Sequence, residues 1–500
     1  MCNYIIIKYK LKICFQGDII MENIKKIHMG KAKCSVDLGD GSERGEYVSQ
    51  DYILSRIGRP MRSISLMYCY YPFDKEWPAR ISDVIGYENV NYQWGFPYDD
   101  YFPYTGGIGG DRNSAVFQQM RDIRRHGQDV TLTITIDPHV SDEQIAAIGE
   151  DLSTFGRLFL RINHECTGNW FSFTKRATYQ EIADFYCRAT RIIREKAPNV
   201  QNILCAGGVD DIEKGEVHME KEFTEAIRET DIWSVDKYLA LHWGWPYDIC
   251  DETTYSHTIY KIRETFDLFR ASYERFCQIC GGTKKPMVLS EINADGDVTG
   301  AYGQAEMMKR FIELIRDEKA EWLDGFCFYQ FRDRGRLGLE IQDQNNENVG
   351  IEQPVMEVFR EIINDPWFMP EMAETGGTEL PVTLRWGNSE DAEGIAVPMR
   401  FDGEPCFCEL YFEDDSNLMM EINGRWFYKA PETKFVDLMP AFYGRKIGGA
   451  GELTLKIFAP PASGENDITN EDGRYNYYCT IEKLPKIRIS SKPVAFISEQ

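Results

Sequence analysis

The sequence has few basic residues and no long apolar segment. Its 56 Lys and Arg stand against 80 Asp and Glu, which gives a net charge of −24. Because a protein that binds nucleic acid needs a basic surface for the phosphates, this balance excludes nucleic acid as a partner and favours a neutral or weakly charged ligand. No run of about 18 apolar residues is present, so the sequence predicts no membrane span.

Cysteine pairs at the spacing of a zinc site are also missing. Among the 14 cysteines, the only close pairs are Cys277 with Cys280 and Cys406 with Cys408. A structural zinc site normally needs two pairs at a suitable spacing. We therefore interpret the cysteines as free thiols in a reducing compartment and expect neither a metal nor another cofactor.

The first 20 residues lack the features of an export signal. Three lysines interrupt the apolar run that begins at residue 5, and no small-residue cleavage site follows. A secretory signal needs a continuous apolar core before that site. We therefore expect a cytoplasmic protein, whether translation begins at Met1 or at Met21.

Length and pattern predict a TIM (β/α)8 barrel in the first part of the chain. A chain of 500 residues exceeds one small core, and residues 61–370 alternate apolar runs with helical patterns such as 179–196 and 259–278. The runs that predict strands are 63–71, 89–94, 129–136, 157–163, 202–207, 232–241, 287–292 and 325–331. Eight buried parallel strands separated by helices suit a barrel.

An open doubly wound sheet is the main alternative fold. Such a sheet usually carries a glycine-rich phosphate-binding turn after its first strand. Here the first run leads into Pro72 and Phe73, and the glycines at 106–110 lack the required spacing. We therefore expect the barrel.

The chain changes character after about residue 375. Thr375, Gly376 and Gly377 suggest a linker, and helical patterns are absent from the rest. Strands are predicted at 382–386, 408–412, 418–422, 426–429 and 453–458. Asn423-Gly424 between two of them is a strong hairpin signal. We expect an all-β sandwich over residues 376–500, with residues 1–60 as an N-terminal extension and a candidate source of an edge strand.

Two glutamates follow barrel strands at positions typical of catalytic groups. Glu165 follows the predicted strand four, and Glu291 ends strand seven. The C-terminal ends of barrel strands surround one cleft, so these side chains are expected to face each other. Two carboxyls about 5–5.5 Å apart can cleave a glycosidic bond with retention of configuration, one as nucleophile and one as general acid and base.

The residues around Glu165 resemble a known motif. The string RINHECTGNWF at 161–171 is similar to the acid/base motif of glycoside hydrolase family 26, the mannanase-containing family of clan A barrel glycosidases. DIWSVDKY at 231–238 and VLSE at 288–291 resemble the family's strand six and its nucleophile strand. The resemblance spans roughly residues 60–365, and only the first string is specific. Thr167 replaces a usual Asn, and Phe173 stands where Trp is common, which leaves the mannan substrate open.

The resemblance implies a role for each matching residue. Glu165 becomes the general acid/base and Glu291 the nucleophile. The residues around them are Arg161 and His164 beside the nucleophile, Trp170 at the subsite of the cleaved sugar, and Tyr238 orienting the nucleophile. Without the resemblance, Tyr238 is equally well interpreted as a core tyrosine.

Aromatic residues after strands six and eight are further candidates for sugar binding. His242, Trp243 and Trp245 follow strand six, where exposed tryptophan at a barrel mouth favours a sugar platform over loop packing. At strand eight, either Tyr329 or Phe331 would form the floor of the subsite. Such rings suit sugars because they present an apolar face beside a polar edge.

No set of metal ligands accompanies these residues. His164 and Glu165 are adjacent, and adjacent residues of a strand face opposite ways unless the strand end twists, so they are not expected to form a metal pair. A metal-dependent barrel hydrolase usually needs His-x-His after strand one, and residues 67–73 contain no histidine.

The preferred hypothesis is a retaining glycoside hydrolase that cleaves β-linked, mannan-like glycans or oligosaccharides. The alternative is a non-catalytic carbohydrate-binding protein with the same domains, against which the presence of both glutamates weighs. Trp386 and Trp426 of the sandwich suit either sugar binding or a brace against the barrel. No feature indicates an oligomeric state.

Overall fold

The chain forms a (β/α)8 barrel and a C-terminal β-sandwich. The computed structural model describes residues 24–40, 47–74, 102–241, 258–333, 335–401, 403–443, 451–460, 468–469 and 475–492. Eight parallel strands close into a barrel because the first pairs with both the second and the eighth. Within the described residues, no helix combines the length and apolar character needed to cross a membrane. The predicted fold class is confirmed.

The barrel strands are buried on both faces. Every residue of the two longest is buried, because one face fills the barrel and the other packs under helices. Strand β1 (Lys25–Met29) belongs to the sandwich. The barrel strands are β2 (Ser35–Gly39), β3 (Ser63–Tyr70), β5 (Asp129–Ile136), β6 (Leu158–Ile162), β7 (Val200–Cys205), β8 (Ile232–Val235), β9 (Met287–Ile292) and β10 (Gly325–Phe328), and the short β4 (Phe102–Pro103) pairs with β3.

Helices between the strands cover the outside of the barrel. They are α1 (Gln50–Ile57), α2 (Ala115–Arg125), α3 (Asp142–Leu152), α4 (Ser172–Arg176), α5 (Tyr179–Lys196), α6 (Glu220–Glu229), α7 (Thr258–Ile279), α8 (Gly296–Thr299), α9 (Ala301–Asp317) and α10 (Pro354–Ile363). Helix α5 begins at a capping box of Thr178 and Glu181, and its buried residues recur at helical spacing. A small sheet of β11 (Arg332–Asp333), β12 (Glu340–Asp343) and β13 (Asn346–Glu352) precedes α10.

The barrel begins earlier than the sequence predicts. Its first strand is β2, within the supposed N-terminal extension, so the run at 63–71 is strand two. The run at 89–94 lies outside the described residues, and eight strands close without it. Strand β2 was not predicted because Ser35 and Asp37 are polar yet buried; Arg62 donates to Asp37 at 2.9 Å. Strands three to eight keep their predicted numbers.

Two antiparallel sheets form the sandwich. The larger contains β1 with β14 (Met372–Gly377), β15 (Val382–Asn388), β16 (Asp391–Phe401), β18 (Leu418–Ile422), β19 (Arg425–Lys429), β21 (Gly451–Phe458), β22 (Ile468–Thr469) and β23 (Tyr475–Ile481), and the smaller contains β17 (Glu404–Tyr411), β20 (Phe435–Asp437) and β24 (Lys486–Lys492). Asn423 and Gly424 have φ of 58° and 77°, as a tight hairpin turn between β18 and β19 requires. The residues interpreted as a linker are the end of β14.

Strand β1 joins the N-terminal segment to the sandwich. It is antiparallel to β14 on one side and to β16 on the other, so it has a neighbour on both sides and is not an edge strand. The chain then enters the barrel at β2. The segment before β3 therefore supplies one strand to each domain.

The sandwich contacts the base of the barrel, opposite the C-terminal ends of the strands. Glu390, in the turn between β15 and β16, accepts a hydrogen bond from the hydroxyl of Ser35 at 2.6 Å. The hydroxyl of Ser389 donates to Asp129 at 3.2 Å. Ser35 and Asp129 each begin a barrel strand, so this turn binds where the strands start.

Trp386 and Trp426 lie in the interior of the domain contact. Both are buried in one apolar cluster with Leu54 of α1 and Phe458 of β21. The ring of Trp426 stacks on Phe458 with centroids 5.6 Å apart. Burial removes both tryptophans from contact with a sugar, and they brace the sandwich against the barrel.

Candidate active site

His164 and Glu165 follow β6 on a left-handed stretch of backbone. The strand ends at Ile162, and Asn163 and Glu165 have φ of 52° and 49°. Asparagine tolerates this conformation, and its side chain accepts the backbone N–H of Ile136 at 2.6 Å. Glutamate adopts it less readily, and strained backbone of this kind clusters at functional sites.

This backbone turns both side chains into one cleft, which is the exception to strand alternation that was stated for a twisted strand end. His164 Nε2 lies 3.8 Å from Glu165 Oε1 and 3.0 Å from Glu291 Oε1. Alternation applies to a regular strand, and β6 has already ended at Ile162. His164 thus stands between the two carboxyls.

The shared histidine limits the separation of the carboxyls. Since both distances start at His164 Nε2, 3.0 Å and 3.8 Å add to at most 6.8 Å between Glu291 Oε1 and Glu165 Oε1. This bound accommodates the separation of about 5–5.5 Å found in retaining glycosidases. It lies below nearly all of the range of about 6.5–9.5 Å found in inverting ones.

Hydrogen-bond donors and positive charge surround Glu291. The hydroxyl of Tyr238 donates to Oε2 at 2.7 Å, and Arg161 Nη2 lies 3.4 Å from Oε1. Burial by itself would raise the pKa of Glu291, but His164, Arg161 and Tyr238 outweigh it and lower that pKa to about 2. The carboxyl is therefore ionised at neutral pH.

The surroundings of Glu165 act in the opposite direction. The protein removes much of the water from this carboxyl, although 28% of the side chain stays exposed. Burial raises the pKa of Glu165, the charges of Glu291 and Asp236 raise it further, and His164 and Trp170 oppose them, which leaves the pKa at about 7. Glu165 therefore holds a proton up to neutral pH while Glu291 does not.

Trp170 contacts Glu165 directly. Its indole N–H donates to Glu165 Oε2 at 2.8 Å. A β-carbon on Gly168 would lie 2.4 Å from the Trp170 ring, so a glycine is needed for the ring to lie there. The hydroxyl of Thr167 accepts the backbone N–H of Gly207 at 2.9 Å and so attaches the same loop to the end of β7.

One group of residues in the described part of the chain has the composition of a metal site. Ligand atoms of His164, Cys205 and Asp236 lie within 4.8 Å of one another. Burial raises the pKa of the Cys205 thiol well above its usual range, and the thiol donates to Asp236 at 3.0 Å. Asp236 also accepts the backbone N–H of Glu291 at 2.9 Å, so its two oxygens are engaged with the thiol and with the residue that it supports.

Of the two aromatic residues at strand eight, Tyr329 reaches the cleft. Its ring meets the ring of Tyr238 edge-to-face with centroids 6.0 Å apart, and it lines the pocket beside Glu291. The predicted substrate contact of Phe331 is wrong. Its N–H donates to the carbonyl of Gly39, which turns the chain inward, and its fully buried ring packs in the barrel core against Tyr52.

The structure brings most of the predicted site residues together. Arranged around one cleft are Arg161, His164, Glu165, Trp170, Tyr238, Glu291 and Tyr329. His242, Trp243 and Trp245 lie outside the described residues. The sugar platform expected at those three positions therefore stays a prediction.

One side of the cleft was not predicted. A pocket beside Glu291 is also lined by Asp40, directly after β2, and by Ser65 of β3. Asp40 was missed because β2 was assigned to an N-terminal extension, whereas Ser65 lies within the predicted strand at 63–71 but was not singled out. A signal was available, since Val36 and Leu38 alternate with polar residues before Asp40, as in a short strand.

Fold and site together define a (β/α)8-barrel protein with two carboxyls of opposite protonation at the C-terminal ends of strands four and seven. No protein-family model matches the chain, and neither does any curated protein. Similar solved structures include a glycoside hydrolase family 26 endo-β-1,4-mannanase from Cellulomonas fimi, with 12% identity over 89% of this chain and 93% of that chain, at a TM-score of 0.43.

Two further similar structures belong to other glycoside hydrolase families. A family 51 α-L-arabinofuranosidase from Bifidobacterium longum is 11% identical over 86% of this chain and 97% of that one, at a TM-score of 0.42. The family 53 catalytic domain from Ignisphaera aggregans is 13% identical over 70% and 99%, at a TM-score of 0.40. At these identities and TM-scores the likenesses carry no weight for the function, which follows from the side chains of the site.

Proposed function

We propose that the protein is a retaining glycoside hydrolase, with Glu165 as general acid/base and Glu291 as nucleophile. The observation that carries this proposal is the pair of carboxyls around His164, whose Oε1 atoms are no more than 6.8 Å apart, because 3.0 Å and 3.8 Å are measured from the same nitrogen. The pKa of Glu165 is raised to about 7 and that of Glu291 lowered to about 2. Opposite shifts in neighbouring carboxyls are the pattern expected of an acid and a nucleophile.

The geometry supports a double displacement. In the first step a Glu291 oxygen attacks the anomeric carbon while Glu165 gives its proton to the departing glycosidic oxygen, which leaves a glycosyl ester on Glu291. In the second step Glu165, now ionised, takes a proton from water, the water oxygen attacks the anomeric carbon, and the Glu291 carboxylate leaves. Tyr238 and Arg161 hold Glu291 ionised between turnovers.

The substrate that we propose is a neutral β-linked glycan or oligosaccharide of the mannan type. Support comes from the family 26-like string at residues 161–171, in which Arg161, His164, Glu165 and Trp170 all contact the reacting carboxyls or belong to them. The net charge of −24 favours a neutral sugar over a uronic acid polymer.

Hydrolysis of a substrate panel tests the proposal. Aryl β-glycosides and β-glycan oligosaccharides are incubated with the wild type, Glu165→Ala and Glu291→Ala. A matched control is Glu357→Ala, whose side chain is 75% exposed on α10. We expect each active-site variant to lose about 100- to 10,000-fold in kcat/KM on oligosaccharides and the control to lose nothing. Equal activity in all four proteins would remove the assignment.

A further inference from the structure

Asp40 is a third acidic residue at the cleft. It directly follows β2, at the C-terminal end of the first barrel strand, where barrel proteins place residues that contact substrate. Its side chain lines the same pocket as Glu291 and is almost fully buried, with 1% of the residue exposed. The mechanism proposed above makes no use of it.

The backbone around Asp40 places this acidic residue beside the end of strand eight, at the pocket that Glu291 also lines. A β-carbon at Gly39 would lie 3.1 Å from the β-carbon of Gln330, so glycine allows β2 to approach the end of strand eight closely. The N–H of Asp40 reaches the carbonyl of Ser65 at 3.5 Å. Asp40, Ser65 and Gln330 thus form a polar wall that shares the pocket with Glu291.

Burying a carboxylate here costs free energy that contacts with the rest of the protein must offset. Asp40 acts electrostatically on a neighbouring side chain. The pKa of Tyr68 lies well above its usual range, mainly because of burial and in second place because of Asp40. A sugar ring presents hydroxyl donors, and a carboxylate accepts such hydrogen bonds strongly. In a binding pocket, a group placed to accept from a hydroxyl discriminates strongly against a ring that lacks it.

We infer that Asp40 is a specificity-determining residue that accepts hydrogen bonds from the hydroxyls of the sugar whose anomeric carbon reacts. This inference rests on the proposed function, since it takes Glu291 as the nucleophile that this sugar must face. The substrate class at that subsite is then a neutral sugar with a free hydroxyl facing Asp40, at the end of the first barrel strand. A uronic acid is disfavoured there by charge, and an esterified or etherified hydroxyl by the lost donor.

The test compares a glycoside with its deoxy analogues in Asp40 variants. The parent is the 4-nitrophenyl glycoside that the wild type hydrolyses fastest among the β-mannoside, β-glucoside, β-xyloside and α-L-arabinofuranoside, and each analogue lacks one ring hydroxyl. Asp40→Asn and Asp40→Ala are expected to lose about 10- to 100-fold in kcat/KM on the parent. For the analogue that lacks the hydroxyl bound by Asp40, the kcat/KM of the wild type is expected to fall by a similar factor. The kcat/KM of the variants is expected to be no lower on this analogue than on the parent.

The ratio of kcat/KM on the parent to kcat/KM on an analogue, measured with one variant, is independent of the fraction of protein that folds. Partial misfolding therefore does not affect this ratio. Asp184→Asn, an exposed aspartate on α5, is the matched control and keeps the wild-type ratio. If Asp40→Asn keeps the wild-type ratio for every analogue while hydrolysis still depends on Glu291, the inference is overturned and the proposed function stands. If hydrolysis persists in Glu291→Ala, or if the wild type hydrolyses no glycoside of the panel, both the inference and the proposed function are overturned.

Discussion

Glu165 and Glu291 are the same type of side chain in two environments, and these environments give them different protonation states. Tyr238, Arg161 and His164 meet Glu291 with donors and positive charge. Glu165 receives one indole N–H and lies beside the charge that Glu291 already carries. The negative charge on the nucleophile therefore helps to keep the acid protonated.

The dependence of activity on pH follows from this pair. Catalysis needs Glu165 protonated and Glu291 ionised, so kcat/KM is expected to fall as pH rises through about 7, the pKa of Glu165. The acid limb lies far lower, because the pKa of Glu291 is about 2. A pH profile of kcat/KM on an oligosaccharide measures this directly.

Removing the acid provides the control for that profile. The leaving group of a 2,4-dinitrophenyl glycoside needs no protonation. With this substrate, the rate at which Glu165→Ala forms the glycosyl-enzyme is expected not to fall as pH rises through about 7. A fall that persists in Glu165→Ala would assign the limb to another group.

Tyr238→Phe removes one donor from the nucleophile and little else. The lost hydrogen bond of 2.7 Å to an ionised carboxyl is expected to lower kcat/KM by about 10- to 100-fold. Because that bond also lowers the pKa of Glu291, the acid limb is expected to move to higher pH. Tyr302→Phe, at a strongly exposed tyrosine of α9, is the matched control. Equal effects of the two substitutions would assign Tyr238 to packing alone.

At the scale of elements, the loop after β6 carries the acid and its aromatic partner. Gly168→Ala would place a β-carbon 2.4 Å from the Trp170 ring, so we expect the ring to shift and its hydrogen bond to Glu165 to break. Since that bond lowers the pKa of Glu165, the fall in kcat/KM near pH 7 is expected to move to higher pH. We expect kcat/KM on poor leaving groups to fall by about tenfold or more.

The matched control for the glycine is Gly30→Ala. A β-carbon at Gly30 would meet its nearest atom at 3.7 Å, an ordinary contact. An unchanged pH profile in Gly168→Ala would show that the Trp170 hydrogen bond does not tune the acid.

Elements with a regular apolar pattern could be predicted from the sequence, and those that bury polar groups could not. Helix α5 and strands β5 and β9 have the predicted bounds because their patterns are uninterrupted. Strand β2 was missed because the burial of Asp37 depends on Arg62, a partner 25 residues away. That error hid Asp40 and moved the start of the barrel.

The site was predictable to the extent that it follows strand ends. Glu165 and Glu291 were assigned to strands four and seven correctly because the predicted run at 89–94 took the place of the missed β2 in the count. That His164 faces the same cleft as Glu165 depends on positive φ at Asn163 and Glu165, which a period-two rule does not foresee. The burial of Phe331 likewise depends on a backbone hydrogen bond to Gly39.

At the scale of the molecule, the sandwich braces the end of the barrel that lies opposite the active site. Glu390→Ala removes the partner of Ser35 at the base of β2 and is expected to cost about 1–3 kcal/mol of unfolding free energy. Because the cleft lies at the opposite end of the strands, kcat/KM at 25 °C is expected to stay unchanged. Chemical denaturation followed by fluorescence measures the first quantity.

Glu393→Ala is the matched control for the domain contact, since Glu393 lies on β16 with 60% of its side chain exposed. It is expected to leave the free energy of unfolding unchanged. If Glu390→Ala were as stable as this control, the turn between β15 and β16 would not brace the barrel. If Glu390→Ala instead lowered kcat/KM, the two ends of the barrel would be coupled.

Azide rescue tests the assignment of the two glutamates most directly. With a 2,4-dinitrophenyl β-glycoside and Glu291→Ala, azide occupies the space of the missing nucleophile, and the expected product is the α-glycosyl azide. With Glu165→Ala, azide replaces water in the second step, and the expected product is the β-glycosyl azide. The same anomer from both variants, or no azide product from either, would contradict the account.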